Sequence, residues 1–389
     1  MPNAPNYVNE AGRTTLSCRA PNPNLVTRTP TSQRKCVKAP RSLPVTGVRV
    51  IGLRMVAVVA VIAGFLAVAI LPSAGSPAYG AEKSKIPAGI VLRVGDQQKN
   101  LQTLFSASGA LAGAPYQVQF DQFASGPLVD QAFAAHVIDV GTMGDTPAAS
   151  TVSGKLGLST VAVAKWNGPL LVLLARPGIK NVAQLKGKKV AYTTGTAQQA
   201  FALRALATAH LKQAQVDQVN VSLQELGTVL ETGSADASTV AAPDEILYKQ
   251  THPGATVLAA SNSVTPPVYD YVLASPTTMN SPGKSAATFD FVRRLIKAEN
   301  WVKSHPNQWV QDYYVAVDHL SSSVAKALLT TSGEMTFVSI TPSVQTALQQ
   351  MVDLMAQAGA IPSSYSIKSL YNPKATATYN AIVKEIPQK

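Results

Sequence analysis

Residues 181–206, NVAQLKGKKVAYTTGTAQQAFALRAL, contain the pattern that decides the fold. The apolar run at 188–192 predicts a strand, and the helical spacing of apolar residues over 197–211 predicts a helix. The polar turn at 193–196 joins the two. A strand that enters a helix through a short polar turn is the repeating unit of α/β proteins.

The same alternation of strands and helices continues on both sides of this stretch. Further predicted strands lie at 90–94, 116–123, 137–141 and 269–274. Beyond residue 284 the chain has mainly helical periodicity. We therefore expect an α/β fold with mixed, mainly parallel sheets and a helical C-terminal tail.

The order of the elements predicts two lobes joined by two crossover strands. The crossovers are predicted at Leu170–Arg176 and Tyr269–Ser275. The first lobe then comprises 81–170 and 276–389, the latter including the C-terminal helices, and the second lobe comprises 171–275.

The first 80 residues predict export. The run at 55–71 is apolar and uncharged, basic residues precede it, and PSAGSPAYGA follows, as in a secretory signal cleaved between Gly80 and Ala81. An uncleaved membrane helix that tethers the protein is the alternative, since the run is near the minimum spanning length. Either way the basic flank keeps the N-terminus cytoplasmic and the rest of the chain outside. Residues 1–54 form a basic leader that is predicted to be disordered. Its length indicates a translation start assigned too far upstream. Residues 55–80 form the apolar core of the signal and the cleavage region.

The formal charge of +12 is concentrated in that leader. Residues 1–80 hold nine Lys and Arg and one acid, which leaves 24 basic and 20 acidic side chains in the remainder. Such a balance argues against a nucleic-acid-binding surface. Both cysteines, Cys18 and Cys36, precede the apolar run, so the exported part has no disulfide, thiolate metal site or cysteine nucleophile.

Three loops share one arrangement, in which a strand ends, a Ser/Thr/Gly/Asp cluster follows, and a helix begins. They are FASGP at 123–127, GTMGDTP at 141–147 and TTGTAQQ at 193–199. Unpaired N–H groups at helix starts bind oxyanions, and the carboxyl ends of strands line the ligand crevice of open α/β sheets. One such cap is an ordinary structural feature. Because two loops precede the first crossover and one follows it, we expect the three to close on one anion from opposite lobes, mainly through neutral donors.

These loops contain most of the predicted binding residues. Ser125 or Gly126 is predicted to cap the first helix, Thr146 the second, and Thr196 with Gln199 the third, in a capping box. The full predicted set is Asp96, Gln97, Gln98, Ser125, Gly126, Asp145, Thr146, Trp166, Thr194, Gly195, Thr196 and Ala197.

Several segments resemble the periplasmic substrate-binding proteins for aliphatic sulfonates, within the nitrate, sulfonate and taurine group. The matching pieces, in the family's own order, are LRVGDQQ at 92–98, FASGPLVDQAF at 123–133, IDVGTMGDTPAA at 138–149, the stretch 181–206, GSADA at 233–237 and QAGAIPSSYSI at 357–367.

This resemblance implies a two-lobed periplasmic-binding-protein fold of type II, with two crossover strands. It implies a sulfonate or similar small organic anion held by loop and helix-start donors, and delivery to an ABC permease with its ATPase. The location would be the periplasm or another extracytoplasmic space. We expect a monomer without cofactor or metal.

The sequence departs from the family where ligand identity is decided. Asp96 stands where relatives commonly have an aromatic residue, and Ala241-Ala242-Pro243 replaces Trp-Asp-Pro. Asp145, Asp244 and Glu245 add carboxylates near the predicted loops. One interpretation places Asp96 at the cleft mouth, where it selects ligands that carry an amine. The other makes Asp96 a cap for neighbouring backbone N–H groups.

Catalysis is the alternative class of function for this fold. An enzyme on this fold that cleaves a carbon–sulfur bond would need a cysteine, and the five histidines lack metal-ligand spacing. No serine-hydrolase, nucleotide or dinucleotide motif occurs. Trp166, Tyr192, Tyr269 and Tyr271 either line the organic part of a ligand or pack in the core. A membrane-tethered sensor is the third hypothesis.

Overall fold

The computed structural model describes residues 86–331 and 333–388. The predicted leader, the apolar run, the cleavage position and both cysteines lie outside the described residues. None of the helices in the described ranges is both long enough and apolar enough to cross a bilayer.

Two mixed sheets form the framework of the described chain. The first sheet has the order β11-β4-β10-β3-β1-β2 and the second the order β7-β6-β8-β5-β9. The strands of the first sheet are β1 (Val91–Gln97), β2 (Gln117–Phe123), β3 (Val140–Gly144), β4 (Ser159–Trp166), β10 (Asp270–Ala274) and β11 (Met335–Phe337). Those of the second are β5 (Leu171–Ala175), β6 (Lys189–Tyr192), β7 (Asp217–Asn220), β8 (Ala237–Ala241) and β9 (Thr256–Ala260).

Helices cover both sheets. They are α1 (Asn100–Ser108), α2 (Gly126–Ala134), α3 (Asp145–Ser153), α4 (Ala197–Ala207), α5 (Thr228–Glu231), α6 (Ala242–Thr251), α7 (Pro276–Asn280), α8 (Pro282–Ser304), α9 (Pro306–Trp309), α10 (Ser322–Thr331), α11 (Pro342–Gln357) and α12 (Pro373–Glu385). A π-helical turn, Val310–Val315, follows α9. Helices dominate the chain after β10, which confirms the predicted helical C-terminal region.

Strand directions confirm an α/β fold with mixed sheets but correct one detail. β1 is parallel to β2 and β3, and β6 is parallel to β7 and β8. The pairings of β10 with β3 and β4, of β11 with β4, and of β5 with β8 and β9 are antiparallel. The sheets are therefore not mainly parallel as predicted, because the strands next to each passage between sheets run against their neighbours.

The chain passes between the sheets twice. It leaves the first sheet after β4, through residues 167–170, and returns after β9, through residues 261–269. The predicted outward crossover is β5, which lies wholly in the second sheet, and the predicted return crossover is β10, which lies in the first. An apolar run buried on both faces has the same sequence pattern inside a sheet as between two sheets.

Helix α4 lies where the lobes meet. It packs on β5, β6 and β8 of the second sheet and also on α3 and α11, which belong to the first lobe. Residues 200–206 of α4 are all buried, so the helix is covered on every side. One continuous apolar core accordingly runs from the first sheet through α4 to one face of the second sheet. A smaller core covers the other face of the second sheet.

Candidate ligand site

The three predicted loops meet at the boundary between the lobes. A Cβ atom built on Gly126 would lie 2.5 Å from Pro147 Cγ, so the first loop packs against the second. A Cβ on Gly144 would lie 2.8 Å from Ala197 Cβ, so the second loop packs against the third. A Cβ on Gly195 would lie 3.6 Å from Pro127 Cγ, so the third loop packs against the first, and the three loops form a triangle of contacts. Glycine is needed at 126 and 144 because the neighbouring chains leave no room for a side chain.

Each loop places the start of a helix in this triangle. Ser125, Gly144 and Thr196 are the N-cap residues of α2, α3 and α4, and all three have extended backbone. The first N–H groups of a helix have no partner within the helix. Within the described chain, no backbone or side-chain group accepts from the amides of Gly126, Thr146 or Ala197. Three positive helix ends from two lobes therefore converge on one place.

The capping details differ from the predictions. Helix α3 begins at Asp145, so Thr146 lies inside its first turn and Gly144 is the cap. The Thr196 hydroxyl donates to the carbonyl oxygen of Thr193 at 2.7 Å, and Gln199 Oε1 accepts from the Gly195 amide at 2.8 Å. The predicted capping box is therefore absent from α4, because both side chains fold back on the preceding turn.

The amides of two predicted residues already have protein partners. The Thr194 amide donates to Asn220 Oδ1 at 2.9 Å, and the Thr194 hydroxyl accepts from Gln218 at 2.7 Å. The Gly195 amide is held by Gln199, as described above. Of the third loop, Ala197 keeps a free N–H at the lobe boundary.

A buried ion pair crosses the same boundary. Arg204 Nη2 of α4 lies 2.5 Å from Asp145 Oδ2 of α3, and the two side chains are 0% and 2% exposed. Asp145 Oδ1 also accepts from the Thr146 hydroxyl at 3.1 Å. Arg204 Nε and Nη1 are buried and have no hydrogen-bond partner among the described residues. The guanidinium thus retains unused donors beside the three loops.

Trp166 and Asp270 form a polar pair on the first-lobe side of this boundary. Trp166 ends β4 and Asp270 begins β10, where Asp270 pairs with Gly144 of β3. The Trp166 indole N–H donates to Asp270 Oδ2 at 2.9 Å, and both residues are half-buried. Burial raises the pKa of Asp270 to about 6, the Trp166 hydrogen bond opposes this increase, and the charge of Asp145 adds to it.

Glu299 of α8 adds a second acid to this region. Burial raises the pKa of Glu299 to about 7, with Lys303 opposing the increase and Asp270 adding to it. The effect of the Asp270 charge on Glu299 places the two carboxyls in one electrostatic environment. The region around β10 is therefore acidic, in contrast to the helix starts next to it.

Residues 96–98 lie at the end of β1 and have separate roles. Asp96 is fully buried, and its carboxylate accepts from the amides of Leu101 at 2.9 Å and Gln102 at 3.0 Å and from Gln122 Nε2 at 3.0 Å. This geometry agrees with the second interpretation of Asp96, a cap for backbone N–H groups, and not with the first, a selector at the cleft mouth. Gln97 Nε2 donates to the carbonyl oxygen of Thr142 at 2.8 Å, and Gln98 is exposed with left-handed backbone.

The remaining predicted residues lie away from the triangle or in the core. Tyr192 and Tyr271 are fully buried core residues, and Tyr269 is half-buried. Glu245 pairs with Lys249 at 3.3 Å within α6. A Cβ built on Gly227 would lie 2.9 Å from Asp244 Oδ1, and burial raises the pKa of Asp244 to about 6.

Two cavities lie elsewhere on the molecule. One, of about 550 Å³, is lined by Arg176, Lys188, Asp236 and His252 among others, at the end of the second sheet where β8 begins. The other, of about 330 Å³, lies between α1 and α8. Neither is lined by a predicted ligand residue. No group of histidine, cysteine and acidic residues in the described ranges is arranged to hold a metal ion.

Sequence reasoning missed Arg204 and Asp270. Arg204 is the one charged residue of the helix AQQAFALRALA, and a charge in a helix that is apolar on every side requires a buried partner. That signal was present in the sequence. The sequence contains no such signal for Asp270, because its partner Trp166 lies 104 positions away.

Two mixed α/β lobes, connected twice and in contact through helix starts of both lobes, define a two-lobed binding-protein fold. The structure of the periplasmic aliphatic sulphonate binding protein SsuA from Escherichia coli confirms this class. It matches with a TM-score of 0.64 and 22% identity, over 73% of this chain and 92% of that one. The fold is accordingly the periplasmic-binding-protein fold.

Sequence comparisons give relatives of one kind. Residues 121–309 match the family model described as NMT1/THI5 like. A protein of Escherichia coli (strain K12), named as an aliphatic sulfonates-binding protein, is 29% identical over 177 residues, which are 44% of this chain and 54% of that relative. One of the same name from Bacillus subtilis (strain 168) is 26% identical over 259 residues, 65% of this chain and 76% of the relative. The predicted resemblance is confirmed, and the match spans about half of the first relative's length.

Proposed function

We propose that this protein is the extracytoplasmic solute-binding component of an ABC importer, and that it captures an aliphatic sulfonate or a similar small organic anion between its lobes. The observation that carries the proposal is the triangle of helix starts from both lobes at residues 125–127, 144–147 and 195–197. The names of the sulfonate-binding relatives support the same ligand class. Export through the predicted signal and action as a monomer are part of the proposal.

The donors suit a group with several oxygens. A sulfonate spreads one negative charge over three oxygens, so it is best matched by several N–H groups from different directions. The amides of Gly126, Thr146 and Ala197 supply three neutral donors, and Arg204 Nε and Nη1 supply two more with a formal charge. Because these donors are buried, salt should screen them only weakly. We therefore expect affinity to change little with ionic strength.

Binding by residues of both lobes couples the ligand to closure. A ligand that contacts α2 and α3 on one side and α4 on the other stabilises the closed arrangement over any open one. An importer that recognises the closed form would then distinguish loaded from empty protein.

A thermal-shift screen tests the proposal. The purified protein is screened against alkanesulfonates, sulfate, nitrate and amino acids, since a ligand that binds only the folded state raises its melting temperature. We expect the largest shifts for sulfonates. Stabilisation by none of these anions would contradict the proposal.

The variant Gly144→Ala locates the site. Its new Cβ would lie 2.8 Å from Ala197 Cβ, a contact that only movement of α4 can relieve, so we expect sulfonate affinity to fall at least about tenfold. Gly154→Ala at the other end of α3 is the matched control, because its Cβ would meet no atom nearer than 3.6 Å. Equal affinities for the two variants would place binding elsewhere.

A further inference from the structure

The cavity of about 550 Å³ at the end of the second sheet is lined by cations that the protein does not pair. Arg176 directly follows β5 and Lys188 directly precedes β6, and both line this cavity together with Asp236 and His252. No ion pair among the described residues includes Arg176 or Lys188. Two unpaired cations on one concave surface attract an anion.

This cavity is separate from the triangle of helix starts. Strand β6 begins at Lys189, beside the cavity, and ends at Tyr192, which leads into the third loop. The two places therefore lie at opposite ends of one strand, and four strand residues span roughly 13 Å. A molecule in the cavity would be a second ligand and not a part of the anion between the lobes.

A buried hydroxyl lies behind the cavity wall. Tyr248 of α6 is 2% exposed, and its hydroxyl has no hydrogen-bond partner among the described residues. The Tyr248 ring stacks on His252, with the ring centroids 4.1 Å apart. Burial raises the pKa of Tyr248, and the nearby Arg176 guanidinium opposes this increase. Because a polar group buried without a partner is costly, this hydroxyl is a second indication that the wall serves a polar ligand.

The cations of the wall suit a phosphate group. A guanidinium and an ammonium bind phosphate oxygens through charge-assisted hydrogen bonds. The Nδ1 atom of His252 is held by the Thr251 hydroxyl at 2.9 Å and the Tyr248 carbonyl oxygen at 3.3 Å, which leaves Nε2. A bound anion favours the protonated imidazole, so His252 would add a third positive donor.

The polar residues of the wall suit hydroxyl groups on the same ligand. Asp236 Oδ2 accepts from the Lys189 amide at 2.9 Å, and the other carboxylate oxygen can accept from a hydroxyl, whereas it would repel a second anionic group. Gln184 Oε1 accepts from the Lys180 amide at 2.7 Å, so the Gln184 amide nitrogen can donate to a ligand oxygen. A cavity of about 550 Å³ also has room for more than an inorganic anion.

We propose that this cavity binds a phosphorylated polyol, with the phosphate between Arg176 and Lys188 and a hydroxyl group at Asp236. The same chemistry occurs in free phosphorylated polyols and in the headgroups of glycerol-based phospholipids. Arg176 and Lys188 are exposed, so binding should weaken as the salt concentration rises, unlike binding between the lobes. This second site is independent of the sulfonate proposal.

Calorimetric titration of the purified protein with matched probes tests the site. Glycerol 3-phosphate has both groups, inorganic phosphate lacks the polyol, and glycerol lacks the phosphate. We expect glycerol 3-phosphate to bind at least about fivefold more tightly than inorganic phosphate or sulfate, and glycerol not to bind. Arg176→Gln and Lys188→Gln should each weaken glycerol 3-phosphate at least about fivefold, since each removes one charged donor. Lys374→Gln, which removes an exposed charge from α12, is the matched control and should leave the affinity unchanged.

Sedimentation with vesicles distinguishes the two sources of the ligand. Phosphatidylcholine vesicles with and without phosphatidylglycerol present the same headgroup chemistry at a surface. Binding to the phosphatidylglycerol vesicles that Arg176→Gln and Lys188→Gln abolish would identify a lipid headgroup, and binding of soluble glycerol 3-phosphate alone would identify a free phosphorylated polyol.

Three results would overturn the site. They are the failure of both glycerol 3-phosphate and phosphatidylglycerol to bind, equal affinity for glycerol 3-phosphate, inorganic phosphate and sulfate, and wild-type affinity in the Arg176 and Lys188 variants. Because the Lys188 side chain is exposed and forms no ion pair in the described chain, Lys188→Gln decides the question even if the Arg176 variant does not fold.

Discussion

Removal of the Arg204 guanidinium is the most direct test of the closed arrangement. The substitution Arg204→Met keeps a long unbranched side chain in α4 but leaves the Asp145 carboxylate buried without its counter-charge. Among the described residues, Asp145 would keep only the 3.1 Å hydrogen bond from the Thr146 hydroxyl. One neutral hydrogen bond compensates a small part of the cost of burying a carboxylate.

The expected magnitude follows from the burial of the pair. Because both side chains are almost completely covered, breaking the pair from either side should cost about 3–5 kcal/mol of unfolding free energy. The double variant Asp145→Asn/Arg204→Met leaves no unpaired charge at these two positions, so it should be more stable than either single variant. We expect a coupling energy of about 2–3 kcal/mol between the two positions.

Urea unfolding of the four proteins in a double-mutant cycle measures this coupling. The control is the pair Arg293–Glu385, which has an N–O distance of 2.9 Å but side chains 34% and 61% exposed. The corresponding cycle there should give a coupling of about 0.2–1 kcal/mol. A coupling at Arg204–Asp145 no larger than that of the exposed pair would refute the interpretation that the lobes meet through a buried ion pair.

Two further predictions concern buried acids of the first lobe. Asp96→Ala removes the acceptor of two helix-start amides and of Gln122, so it should lower the unfolding free energy by about 1–3 kcal/mol. Urea titration measures this loss. A change in the preference between amine-bearing and plain sulfonates would contradict the capping role. Burial raises the pKa of Asp130 from 3.8 to about 7, and the hydrogen bond from the Ser150 hydroxyl opposes this increase. Between these two pKa values the folded protein holds a proton that the unfolded chain releases. The free energy of unfolding should therefore fall as the pH rises from 3.8 to about 7. Asp130→Asn should therefore be more stable than the wild-type protein by more than about 1 kcal/mol at pH 8 and nearly equal to it at pH 4, whereas a difference independent of pH would contradict the argument.

Local patterns in the sequence predicted the framework because local interactions determine it. The strand and the helix predicted within 188–211 form at the expected place, although the helix ends at Ala207, since the apolar spacing and the polar turn act over a few residues. The three helix-start loops could be found for the same reason. Their convergence could be anticipated from the rule that carboxyl ends of strands line the crevice, which requires no knowledge of register.

Strand direction and acid placement depend on contacts between distant residues. β5 and β10 have apolar runs that fit either a crossover or a central strand, and only pairing with β8, β9, β3 and β4 decides between them. The roles of Asp96 and Asp270 also depend on such contacts and could not be predicted from local sequence. Both are acids at strand ends, but the α1 amides occupy Asp96, whereas Asp270 accepts from the Trp166 indole.

The burial of α4 explains why the same helix determines both stability and binding. Its residues 200–206 belong to a core shared by the two lobes, so any opening that separates α4 from α3 and α11 exposes apolar surface and breaks the Arg204–Asp145 pair together. The N-terminus of α4 meanwhile supplies the donor at Ala197. A ligand held there would add its binding energy to contacts that already favour closure.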